Sequence, residues 1–168
     1  MDNRVFATVG STRFDKLIAV VSSPPLLKLL SSLHYTHLTI QHGQSPITIS
    51  SPQVSSVSPD VQVDAYQYKS SLREDMAQAS LVISHAGSGS ILEALRLKKK
   101  LIVVVNEDLM DNHQLELGSS LHEQGYLVCC SVADLESALK AKEYQSLTPF
   151  PDQDPIRFAS FLDSQMGF

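Results

Sequence analysis

Residues 85 to 95 read HAGSGSILEAL, two glycines set among serines, running straight into an apolar helical pattern that carries one acid, Glu93. The stretch before it, LVIS (Leu81 to Ser84), is short and apolar and reads as a buried strand pointing into this loop. Strand, glycine loop and helix start therefore follow one another. A helix N-terminus leaves backbone N–H groups unpaired and carries a partial positive charge, and glycines let an anion approach it closely. His85, Gly87, Ser88 and Gly89 thus form a candidate anion site. His85 differs from the other five histidines in facing this loop, and none of the six stands at a metal-binding spacing.

Which anion is held depends on what the neighbouring residues add. Gly87-Ser88-Gly89 supplies the first two glycines of the dinucleotide pattern G-x-G-x-x-G, but Leu92 occupies the third position and would crowd the helix against its strand. The loop also lies mid-chain, not after the first strand, so a nicotinamide site is disfavoured. The phosphate-loop pattern G-x-x-x-x-G-K-[ST] is absent. Two readings of Glu93 stand side by side. Ser90-Ile91-Leu92-Glu93 matches a capping box, with Glu93 folding back on the Ser90 amide. If the helix begins near Ser88 instead, Glu93 stands roughly 6 to 8 Å from its N-terminus, where a carboxylate can accept both hydroxyls of a ribose.

A second polar cluster, Asn112, His113 and Gln114, follows the apolar run LIVVV and opens the next helical pattern. Asp111 is a ready N-cap, so Asp111 and Asn112 can be read as helix-start residues. The favoured reading is sugar recognition, because neutral hydroxyls are read by paired donors and acceptors. Asp152-Gln153-Asp154 has the D-x-D form that one class of glycosyltransferases uses for metal, but it lies between prolines near the C-terminus and is assigned to a solvated loop.

The elements that position these residues alternate. RVFATVG ends in Gly10, with Ser11 and Thr12 as possible caps for a helix from about Phe14 to Val21. LLKLLSSL is helical after a proline start, HLTIQHG is a strand, and the Ser- and Pro-rich stretch from Gln44 to Pro59 is a loop. Strands VQVDAYQY, LVIS, LIVVV and YLVCC then alternate with helices of 8 to 13 residues. The pattern predicts one α/β domain over residues 1–168, Rossmann-like, with a mostly parallel sheet covered by helices on both faces. Ligands in such sheets sit outside the carboxyl ends of the strands. Those ends carry Gly10-Ser11-Thr12, Gln41-His42-Gly43, His85 to Ser90, and Asn106 onward.

Composition narrows the classes. There are 13 basic and 18 acidic residues, a net charge of −5, and no basic stripe beyond RLKKK (Arg96 to Lys100), which argues against nucleic acid. That run is read as a solvated helix C-terminus. Cys129 and Cys130 are adjacent on a strand and exclude a disulfide framework. With no long apolar run and no leader, the chain is expected to be cytosolic.

FATVGSTRFDKLI, IQHG, YQYKSSLREDMAQASLVISHAGSGSILEAL and LIVVVNEDLMDNHQLELGSSLHEQG together resemble the donor-binding half of the family 28 glycosyltransferases. The resemblance covers nearly the whole chain in order; the Gln44 to Pro59 stretch matches least. It implies one half of a GT-B glycosyltransferase that takes UDP-N-acetylglucosamine, needs no metal or other cofactor, and adds the second N-acetylglucosamine to dolichol-diphosphate-N-acetylglucosamine by inverting transfer. By position, it implies that Gly10, Ser11 and Thr12 lie near the diphosphate with His85 to Ser90. Glu93 would hold the ribose, while His113 and Gln114 would read the N-acetylglucosamine. His113 stands where bacterial members carry an amide. The general base is not found here and is expected on a membrane-anchored, acceptor-binding partner subunit, which would recruit the chain to the cytosolic face of the endoplasmic reticulum.

A nucleotide-sugar-binding or scaffold paralogue without turnover is the alternative, against which Glu93 and Gln114 argue. The terminal stretch, predicted as a helix over about 155–166, places Phe158, Phe161, Leu162 and Met166 on one stripe. It either completes the chain's own core or docks the partner.

Overall fold

A computed structural model describes residues 3–47, 60–108 and 112–151, with 112–114 described in their backbone alone. Six strands form one sheet: β1 (Arg4–Thr8), β2 (His37–Gln41), β3 (Gln62–Tyr66), β4 (Leu81–His85), β5 (Lys100–Val105) and β6 (Val128–Ser131). Their order is β3-β2-β1-β4-β5-β6 and every neighbouring pair is parallel. The connections are helices α1 (Asp15–Val21), α2 (Pro24–Ser32), α3 (Arg73–Gln78), α4 (Ser88–Arg96), α5 (Asn112–Glu123) and α6 (Leu135–Ala141), with a 3-10 turn at Glu143–Ser146.

The apolar runs become strands because both sheet faces are covered, so successive side chains are buried whichever way they point. All five residues of β4 are buried. On one face Val5, Ala7, Ile83 and Val104 meet α1 (Leu17, Ile18, Val21), α2 (Leu26, Leu27, Leu30) and α6 (Leu135, Leu139). On the other, Phe6, Val82 and Val103 meet Met76 of α3, Ile91, Ala94 and Leu95 of α4, and Leu117 and Leu121 of α5. The predicted double covering holds. β6 begins at Val128, two residues later than the run YLVCC suggests.

Three local expectations change. Ser11 and Thr12 do not cap α1, whose N-cap position is Phe14. The Phe14 N–H instead donates to the Ser45 hydroxyl, 2.7 Å away and 31 residues along the chain. The capping box at Ser90 does not form, because α4 begins two residues earlier at Ser88 with Gly87 as its N-cap. Nor is the RLKKK run simply solvated. The Lys99 ammonium donates to the Ala77 and Ala79 carbonyls at 2.7 and 2.9 Å, closing the end of α3, and burial lowers its pKa. The Ser- and Pro-rich loop between residues 48 and 59, Asp111, the Asp152–Asp154 motif and the terminal stripe lie outside the described residues.

Candidate functional site

The chain moves outward from β1 through β2 to β3, then returns past β1 to lay down β4 on its other side. The reversal falls between β1 and β4, which are in register from Val5↔Leu81 to Thr8↔Ser84. Connections leaving the carboxyl ends of adjacent strands diverge at such a point and leave a crevice. The Gly10 loop leaves β1 and the Gly87 loop leaves β4, so both glycine loops flank the crevice, starting about 4.8 Å apart.

One side chain separates them. A Cβ on Gly10 would lie 2.8 Å from His85 Cε1, and a Cβ on Gly87 would overlap the same imidazole. Glycine at both positions is therefore required by His85. Gly10 needs it doubly, with φ at +62°. His85 is 9% exposed, and its Nδ1 is buried without a partner among the described residues. Burial holds its pKa below the ordinary histidine range, with a backbone hydrogen bond to Thr8 opposing, so the ring is neutral near pH 7.

Gly89 is different. Nothing lies within 4 Å of where its Cβ would stand. The first turn of α4 has no side-chain cap, so the amides of Ser88, Gly89 and Ser90 have no side-chain acceptor among the described residues and have the helix dipole behind them. The side chain of Glu93, half-buried one turn further on, makes no hydrogen bond or ion pair among the described residues. Its carboxylate is available for a ligand.

The third predicted cluster is placed by its backbone. Asn112, His113 and Gln114 form the first turn of α5, beyond the carboxyl end of β5, next to β4 in the sheet. Their side chains lie outside the described residues. A cleft of about 420 Å³ opens between α1 and the loops after β5 and β6, lined by Phe14, Val105, Asn106 and Val132. A Lys16–Asp108 ion pair of 3.0 Å crosses its rim. This cleft lies beside the glycine loops and not on them. The first-turn residues of α4 are not among those that line it.

Two residues at this edge have features to which the sequence reading assigned no role. Tyr68, just past β3, is 49% exposed, an aromatic face of the kind that stacks on a base. Its loop is ordered by Tyr66, whose hydroxyl donates to Asp75 while Lys69 pairs with the same carboxylate at 3.0 Å and lies 4.3 Å from the ring. Gln41 closes β2 and is 1% exposed, with its carboxamide turned toward Gly10.

A family model described as the glycosyltransferase family 28 C-terminal domain matches residues 4–163. The chain belongs to glycosyltransferase family 28. It is 44% identical over 164 residues to the UDP-N-acetylglucosamine transferase subunit ALG13 of Homo sapiens, a match covering 98% of this chain and 14% of that protein. With the ALG13 of Yarrowia lipolytica it shares 35% over 165 residues, covering 96% and 83%. The chain thus spans a small part of the human and mouse relatives, 14% and 11%. Among solved structures, the solution structure of ALG13 superposes with a TM-score of 0.72 at 26% identity, covering 99% of this chain and 98% of that one. MurG of Acinetobacter baumannii gives 0.67 at 15%, with this chain covering 50% of it. That likeness is one of fold: the chain has the Rossmann-like α/β fold of one half of that molecule.

Proposed function

We propose that this family 28 chain is the donor-binding part of a transferase that moves N-acetylglucosamine from UDP-N-acetylglucosamine to dolichol-diphosphate-N-acetylglucosamine. The observation that carries the reading is the uncapped start of α4, open at Gly89 and facing the Gly10 loop across the crevice. A diphosphate on these amides gains charge-assisted hydrogen bonds and the helix dipole, and Glu93 is placed for the ribose hydroxyls. The sugar then extends toward Asn112, His113 and Gln114. The curated relatives named as UDP-N-acetylglucosamine transferase subunits support this donor.

In the proposed reaction the acceptor hydroxyl attacks the anomeric carbon from the face opposite the diphosphate. The C–O bond to UDP breaks as the new one forms, and configuration inverts. The charge developing on the leaving diphosphate is stabilised by amides already aimed at it. The base that takes the hydroxyl proton, and the lipid acceptor, belong to a membrane-anchored partner subunit, for which the word subunit in the relatives' names gives support. Among the described residues no helix is long and apolar enough to cross a membrane. In this proposal the partner brings the chain to the lipid, at the cytosolic face of the endoplasmic reticulum. Titration calorimetry with UDP-N-acetylglucosamine and UDP-glucose, on the chain alone and assembled with its membrane partner, tests the proposal. Preferential binding of the N-acetylated donor, with transfer in the assembly, is expected. Binding of neither nucleotide sugar in either state would overturn it, and binding without transfer would favour the scaffold reading.

A further inference from the structure

The Gln41 carboxamide is buried at the end of β2 and uses all four of its hydrogen-bonding positions. Its Oε1 accepts from the Gly10 N–H at 2.9 Å and from the Thr8 hydroxyl. Its Nε2 donates to the Gly10 carbonyl at 2.7 Å and to the Gln67 carbonyl at 2.8 Å. The orientation of the amide is fixed by these partners, because a backbone N–H can face only an acceptor and two carbonyls can face only a donor. Thr8 completes the ring, its hydroxyl also accepting from the Gly10 N–H at 3.1 Å.

From this arrangement we infer that Gln41 is the positioning residue of the first glycine loop, setting how tightly the site holds a diphosphate while touching no part of the donor. The inference rests on the donor reading above. Both backbone groups of Gly10 are held inward by one rigid amide, which fixes the left-handed turn that Thr12 closes on the Val9 carbonyl. The exposed Ser11 amide at the tip is left for a ligand, with no acceptor among the described residues. Glutamate in place of Gln41 would set a carboxylate against two carbonyls, and asparagine is one methylene too short to span Gly10 and Gln67. Through Gln67 the same amide ties the Gly10 loop to the segment carrying Tyr68, so two parts of the donor edge share one anchor.

The test uses the full chain with Gln41→Met, which keeps the volume and removes the hydrogen bonds, and with Thr8→Val, which removes one hydroxyl from the same ring. Wild type and variants are titrated with UDP and with uridine, and amide exchange is followed by NMR. UDP binding is expected to weaken about tenfold or more in Gln41→Met and less in Thr8→Val, with uridine binding unchanged and faster exchange confined to Gly10 and its turn. Equal losses for UDP and uridine, or unchanged UDP binding, would overturn the inference. If Gln41→Met does not fold, Thr8→Val decides by the same criterion. A wild-type chain that binds uridine and UDP equally would instead sink the diphosphate reading itself, and the inference with it.

Discussion

Gly87 and Gly89 stand two residues apart, one the N-cap of α4 and the other in its first turn, and sequence reasoning treats them alike: a branched side chain at either should block an anion. Their surroundings separate them. A side chain at Gly87 meets the His85 imidazole, whereas one at Gly89 meets nothing within 4 Å. Gly89→Val is expected to melt within about 0.5 kcal/mol of wild type yet lose UDP binding, because its methyl groups occupy the anion's place. Gly87→Val is expected to cost about 1 to 3 kcal/mol of stability through overpacking. Paired thermal melts and UDP titrations distinguish the two, and equal melting points would show that His85 yields without cost. His85 also gives the site a pH dependence. Its folded pKa is lowered by burial, so the unfolded chain binds the proton more readily. The resulting stability is complete above about pH 6.5 and is lost as pH falls through the lower folded value. Melting curves from pH 8 to 5 should fall more steeply for wild type than for His85→Gln. Parallel curves would mean that the ring titrates normally.

At the scale of elements, the start of α4 decides what Glu93 does. The local pattern Ser90 to Glu93 favours a helix beginning at Ser90, but the helix is phased by Ile91, Ala94 and Leu95, all buried against the sheet. Tertiary burial moves the start to Ser88 and takes Glu93 out of the capping position. Glu93→Ala should therefore leave the melting point nearly unchanged, since alanine is at least as good a helix former. It should remove about 1.5 to 3 kcal/mol of donor binding, tenfold or more in Kd. A variant that melts much lower and still binds UDP would restore the capping role. The strands and the glycine loops were legible because double burial writes apolar runs and tight approach writes glycines. Gln41 and Ser45 were not, since a polar residue at a strand end reads as the beginning of a loop. Their partners, Gly10, Gln67 and Phe14, lie 26 to 31 residues away. The cap of α1 was missed for the same reason: the Phe14 amide is satisfied by a distant hydroxyl and no neighbour in sequence announces it.

For the whole molecule, the proposed membrane partner needs a contact surface on this chain. By sequence spacing Phe158, Phe161, Leu162 and Met166 would share one stripe of a helix, and burying each fully against a partner would contribute about 1.5 to 3 kcal/mol before the costs of association. Deleting residues 157–168 is expected to leave UDP binding intact while the chain no longer sediments with membranes containing the partner, and transfer is lost. Undiminished recovery of the truncated chain with those membranes would place the contact elsewhere.

The reversal of the sheet between β1 and β4 divides the molecule into two three-stranded pieces, β1–β3 and β4–β6, whose strands meet along the ladder from Val5↔Leu81 to Thr8↔Ser84. Each piece carries one of the two glycine loops. A chain severed between residues 67 and 72 would therefore have to reassemble before it could hold a diphosphate, and by mass action a diphosphate would favour that reassembly. The seam that forms the proposed site is also the natural cut for a split reporter, in which the nucleotide itself acts as the glue.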